Sequence, residues 1–277
     1  MLLTLGHPVT QSILIPLAVT LLGGLIANHL TRYRAVVAVS LALGILGSYV
    51  STFGLPPFPP RTSGQKFFFV IVLLLCSGLF ISGLKPRQLK RLFMVTGAII
   101  VVWLVGPKLL QQPGGFIPLL LGSLLLWIAT AQNIHNLRSS THDEVFLVLC
   151  ISLGLGALCA SSGSLSAAQT AVSITSCVTG LLISAIISNR VYAGGFITHV
   201  SFGALLTLSS QTMLYGGFWK YTIFLMFGAL YAEKIAFKNT LFGRVLYKLV
   251  ILIGCLIPAL ICVLLSFISV SLENPAD

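Results

Sequence analysis

Acidic residues are nearly missing: Asp and Glu number five in 277 residues, against 16 Lys and Arg. All five (Asp143, Glu144, Glu233, Glu273 and Asp277) lie outside the apolar runs. Metal-ion and proton-coupled carriers usually keep carboxylates in their pathway, so the chain lacks the material for such a path. Charge of either sign is scarce at 8%, while 57% of residues are hydrophobic and the mean hydropathy is +1.04. That leaves too little polar surface to close a water-soluble globule, which places the chain in a lipid bilayer. Cys76, Cys150, Cys159, Cys177, Cys255 and Cys262 all fall inside apolar runs with no C-x-x-C spacing. This excludes a disulfide framework or thiol metal site and leaves them as small packing residues. No basic stretch precedes the first apolar run, and no small-x-small cleavage site follows it. We therefore expect a retained first helix rather than a signal peptide.

What is present is apolar sequence in runs of roughly 14 to 24 residues, the length of membrane-crossing helices and not of barrel strands. The fold class expected is all-α, a polytopic transmembrane helix bundle. The runs cover residues 13–30, 35–53, 67–84, 92–105, 116–131, 145–160, 169–187, 192–215, 223–232 and 249–270, which gives about ten spans. The fourth and fifth are short and are separated by Gly106, Pro107, Pro113, Gly114 and Gly115. If residues 92–131 form one re-entrant hairpin, the number falls to eight.

The net charge of +11 would point a soluble protein toward nucleic acid. Here the basic residues sit in short connections between apolar runs, so orientation explains them better than a nucleic-acid partner does. Alternating the spans puts twelve Lys and Arg on one side and four on the other. The richer side is cytoplasmic, which places both termini on the opposite, non-cytoplasmic face of what is expected to be a bacterial cytoplasmic membrane. The chain reads as a single integral membrane domain, 1–277. Halves at 1–131 and 145–270, joined by a polar cytoplasmic loop at 132–144, would have opposite orientations, as inverted repeats do, but no sequence identity between them supports this.

One run carries polar groups deep into the bilayer. In residues 192–215, Gly195, His199, Gly203, Thr207 and Ser210 follow at spacings of four, four, four and three, so they share one helical face. His199 lies well below the membrane surface, and an intramembrane ionisable ring is a functional candidate. The plain alternative is a ring that donates to a neighbouring helix. The candidate pathway is Tyr192, His199, Thr207, Ser210 and Gln211; Gly154, Gly163, Gly195 and Gly203 are candidate helix-packing positions.

No catalytic set, metal site or cofactor site emerges. His135, His142, Asp143 and Glu144 match no metal-hydrolase spacing, and Thr141 with Glu144 three later reads as a capping box that starts a helix. Three functions follow in order. The first is a carrier or channel-like permease for a small neutral, zwitterionic or anionic solute, in which replacing His199 abolishes uptake. The second is a non-catalytic subunit or assembly factor of a larger membrane complex, or a homo-oligomer, docked through the small-residue faces. The third is a lipid-acting enzyme using the 135–144 loop.

Overall fold

The computed structural model describes residues 7–27, 33–81, 86–111, 113–134, 141–188, 195–215, 222–228, 248–249, 251–254 and a few single positions up to 264. Among them every regular element is helical. A π-helical turn, Thr10–Leu14, runs into α1 (Ile15–Ala27). It is followed by α2 (Tyr33–Phe53), α3 (Ser63–Ile81), α4 (Pro86–Gln111) and α5 (Pro113–Ile134). Then come α6 (Thr141–Ser161), α7 (Leu165–Ser188), α8 (Gly195–Tyr215) and α9 (Thr222–Gly228). By length and composition, five stretches can cross a membrane: Thr10–Ala27, Ala35–Phe53, Gln88–Pro107, Phe116–Asn133 and Leu165–Ser188. Ser63–Leu79 and Val145–Ser161 are shorter apolar helices.

The helix ends are written in local sequence. Thr62-Ser63-Gly64-Gln65 forms a capping box at the start of α3. The Thr62 hydroxyl accepts from the Gln65 amide at 3.3 Å, and Gln65 Oε1 accepts from the Thr62 and Arg61 amides at 3.2 and 2.8 Å. This moves the start of α3 four residues ahead of the apolar run. Two glycines with positive φ end helices. Gly54, at φ 74°, returns its amide to Val50 at 2.9 Å and stops α2. Gly163, at φ 76°, donates to Ala160 while the Ser164 amide reaches Cys159, a Schellman ending for α6. Ser164 then accepts from the Ala168 amide as α7 begins.

Prolines lie inside three rods without breaking them. Pro107 has no N–H to give the carbonyl of Trp103, four residues back, and Lys66 Nζ from α3 donates to that oxygen at 2.8 Å. In the first rod, Ile15 donates five residues back to Thr10, so the next donor in that register would be Pro16, which has none. The Gln11 carbonyl instead accepts from the Ser48 hydroxyl of α2 at 2.8 Å. Pro118 stands in the second turn of α5. With these prolines accommodated, α4 and α5 reach 26 and 22 residues, about 39 and 33 Å at 1.5 Å per residue. Each is long enough to cross alone, which the short runs 92–105 and 116–131 did not suggest.

The helices pack around α8. It contacts α2, α3, α4, α5, α6 and α7, and every residue from 196 to 214 is buried. Outside it, α1 lies between α2 and α7, α6 lies on α7, and α4 pairs with α5. Helices from before residue 131 and after residue 145 therefore interleave: α7 packs on α1 and α2, and α8 packs on α3. The outer faces are apolar. On α4 Val95, Ile99 and Val102, and on α5 Leu121, Leu125 and Ile128, recur at helical spacing; Ile99 is 57% and Leu125 60% exposed.

The fit is close at α1 and α7. A Cβ on Gly180 would overlap the Thr20 hydroxyl and lie 2.7 Å from the Leu17 carbonyl. Hydroxyls join other pairs: Ser48 to Ser173 at 2.6 Å between α2 and α7, and Thr175 to Ser152 at 2.8 Å between α7 and α6. Such small and hydroxyl residues are what close helix packing in lipid requires. Cys150, Cys159 and Cys177 are buried, while Cys76 faces outward instead of packing; Cys255 and Cys262 lie outside the described residues.

Candidate functional site

The polar residues of α8 divide into two regions. In its first half His199 is 1% exposed, and its Nε2 lies 2.9 Å from the Ser77 hydroxyl of α3. Ser77 donates to the Leu74 carbonyl at 3.2 Å, so its single proton is used and the ring is assigned as the donor through Nε2–H. Nδ1 is then an acceptor without a partner. Phe93 of α4 meets the imidazole edge-on at 5.5 Å and stacks at a tilt on Trp127 of α5 at 4.9 Å. Trp127 Nε1 and Ser123 Oγ are also buried without hydrogen bonds among the described residues. One turn along α8, a Cβ on Gly203 would come within 2.6 Å of Leu74. Phe196 and Gly78, Ser77 and His199, then Leu74 and Gly203 make an antiparallel seam between α3 and α8.

The hydroxyls farther along α8 are satisfied by their own helix. Thr207 donates to Gly203 at 2.7 Å, Ser209 to Leu205 at 2.7 Å and Ser210 to Leu206 at 2.8 Å. These bonds remove the cost of burying a free hydroxyl. His199, Thr207 and Ser210 lie on one face, but that face is packed, and none of the three borders the large cavity described next. Tyr192 lies outside the described residues.

Gln211 does border it. A cavity of about 390 Å³ opens where α2 and α6 end, α3 and α7 begin, and the last turn of α8 arrives. Its wall includes Tyr49, Phe53, Ser63, Gln65, Thr170 and Gln211, and among the described residues none that lines it is charged. Gln211 is 7% exposed and donates through Nε2 to the Ser63 carbonyl at 2.5 Å, tying α8 to the start of α3 at the cavity wall. Beside it Thr212 donates to Leu208 at 2.9 Å and lies 3.3 Å from Cys159 Sγ. The Ser162 and Thr170 hydroxyls turn to their own helices at 3.0 and 2.9 Å.

Of the expected packing glycines, Gly203 sits in the α3–α8 seam and Gly154 is buried on α6. Gly195 opens α8. Gly163 is a correction: it is exposed, nothing lies within 4 Å of its Cβ position, and it serves the turn instead of a helix contact. The cavity wall at Tyr49, Ser63, Gln65 and Thr170 is not legible locally, because these residues stand near the ends of three separate helices, α2, α3 and α7. The T-x-x-Q box at Thr62 was the one local signal that α3 starts there. Residues 135–140 lie outside the described residues, and α6 starts at Thr141. Among the described residues no three of His, Cys, Asp and Glu come together.

Fold and composition together define an all-helical protein with several helices long and apolar enough to be embedded in a membrane. The chain matches no family model, no curated protein and no solved structure.

Proposed function

We propose that this protein is a carrier or channel-like permease for a small neutral, zwitterionic or anionic solute. It would be a single multi-pass domain of about ten spans in a bacterial cytoplasmic membrane, with both termini on the non-cytoplasmic side. The observation that carries this reading is the uncharged cavity of about 390 Å³ at one end of the bundle, within the size range of small-molecule sites. With the spans alternating as proposed, that end would lie on the non-cytoplasmic face, where a solute would enter. The apolar outer faces of α4 and α5 suit contact with lipid.

In nanodiscs the purified protein is titrated with small carboxylates, amino acids and sugars, and the tightest binder is offered radiolabelled to proteoliposomes. Uptake above that of empty vesicles, reduced at least tenfold by Gln211→Leu, is the expected result. Binding without uptake would remove the permease.

A second reading, a non-catalytic subunit or assembly factor of a membrane complex, draws on a different observation: the middle of the bundle around His199 is packed, every residue of α8 from 196 to 214 being buried. Native mass spectrometry after mild extraction separates the two. A partner at fixed stoichiometry favours the subunit, and a lone chain or homo-oligomer favours the permease.

A further inference from the structure

The walls of the terminal cavity differ in electrostatic sign although, among the described residues, none of their side chains is charged. Two helices begin there. Ser63 and Gly64 occupy the first turn of α3, and Ser166 and Ala167 the first turn of α7; all four line the cavity. First-turn amides have no acceptor within their own helix, and a helix start carries a partial positive charge. Three helices finish there: α2 at Phe53, α6 at Ser161 and α8 at Tyr215, with Phe53, Ser162 and Thr212 on the wall. Helix ends carry the opposite partial charge. A further group stands open. Tyr49 is 8% exposed and borders the cavity, and its hydroxyl makes no hydrogen bond among the described residues.

We propose that this cavity binds a small zwitterion, its carboxylate at the starts of α3 and α7 and its ammonium toward the ends of α2, α6 and α8, with Tyr49 contributing its free hydroxyl. The proposal rests on the permease reading and narrows its solute. Among the described residues of the wall an anion alone would meet no Lys or Arg, and it would face three helix ends of partial negative charge. A cation alone would meet no carboxylate, in a protein of net charge +11 that repels it at a distance. A zwitterion carries one charge of each sign, and each finds helix ends of the opposite partial charge that offset its desolvation.

The test uses the whole protein in nanodiscs with glycine, L-alanine and L-glutamine. Each is compared with its methyl ester, which keeps only the positive end, and its N-acetyl derivative, which keeps only the negative one; sorbitol is the uncharged control. Isothermal titration should find at least one amino acid bound and both of its derivatives about tenfold weaker or worse. Tyr49→Phe and Gln211→Leu should each weaken the amino acid. If an ester, an N-acetyl derivative or sorbitol binds as tightly as the amino acid and is weakened by Gln211→Leu, the zwitterion is wrong while the solute cavity stands. If no member of the panel binds folded protein, both readings fall.

Discussion

The two ends of α8 hold similar residues and behave differently. Toward its start, His199 is clamped between Ser77 and Phe93, and the hydroxyls after it turn back onto their own carbonyls. Toward its finish, Gln211 reaches to another helix, and space opens beside it. Polarity inside an apolar helix therefore does not by itself mark a path. What matters is whether the polar group is already satisfied, and by what.

The sharpest way to break this contrast is at Gly203. Gly203→Leu drives a side chain into Leu74 and should destabilise the α3–α8 seam by about 3 kcal/mol or more, seen as lost yield and a lower Tm in detergent. An unchanged Tm would mean the seam is looser than described. Next comes His199→Leu. Losing a buried interhelical hydrogen bond should cost about 1–2 kcal/mol in Tm measurements but leave ligand affinity intact. Abolished binding with normal stability would return His199 to the pathway. Gly163→Ala should cost about 1 kcal/mol, since alanine resists φ 76° even where nothing touches it. Unaltered stability would speak against the left-handed turn at the cavity rim. The smallest effect is a coupling: Lys66→Met should lower stability by roughly 0.5–1 kcal/mol with Pro107 present and by almost nothing in Pro107→Ala, because alanine restores the main-chain donor to Trp103. Additive losses would remove that account of Lys66.

Much of the helical framework was legible. The apolar run at 35–53 becomes α2, Tyr33–Phe53, and the run at 192–215 contains the central α8, Gly195–Tyr215. The lengths of α4 and α5 were not, because Gly106, Pro107, Pro113, Gly114 and Gly115 read as breakers when only their own segments are in view. The donor that lets α4 continue past Trp103 is Lys66, 37 residues earlier. The partner of His199 is 122 residues away, so its spacing could mark burial but not the seam that holds it. The cavity was hidden for a similar reason. Tyr49, Gln65, Thr170 and Gln211 come from four helices, and each alone looks like an ordinary span end.

The two carbonyls left open by prolines bear on how the chain enters its membrane. Gln11 finds its donor on α2 and Trp103 on α3, in each case the neighbouring helix in sequence. A helix released singly into hydrocarbon would carry a bare carbonyl there, at a cost of several kcal/mol. The smallest pieces with both oxygens capped are the α1–α2 and α3–α4 hairpins. Each hairpin is thus a unit of backbone hydrogen bonding that neither of its helices completes alone.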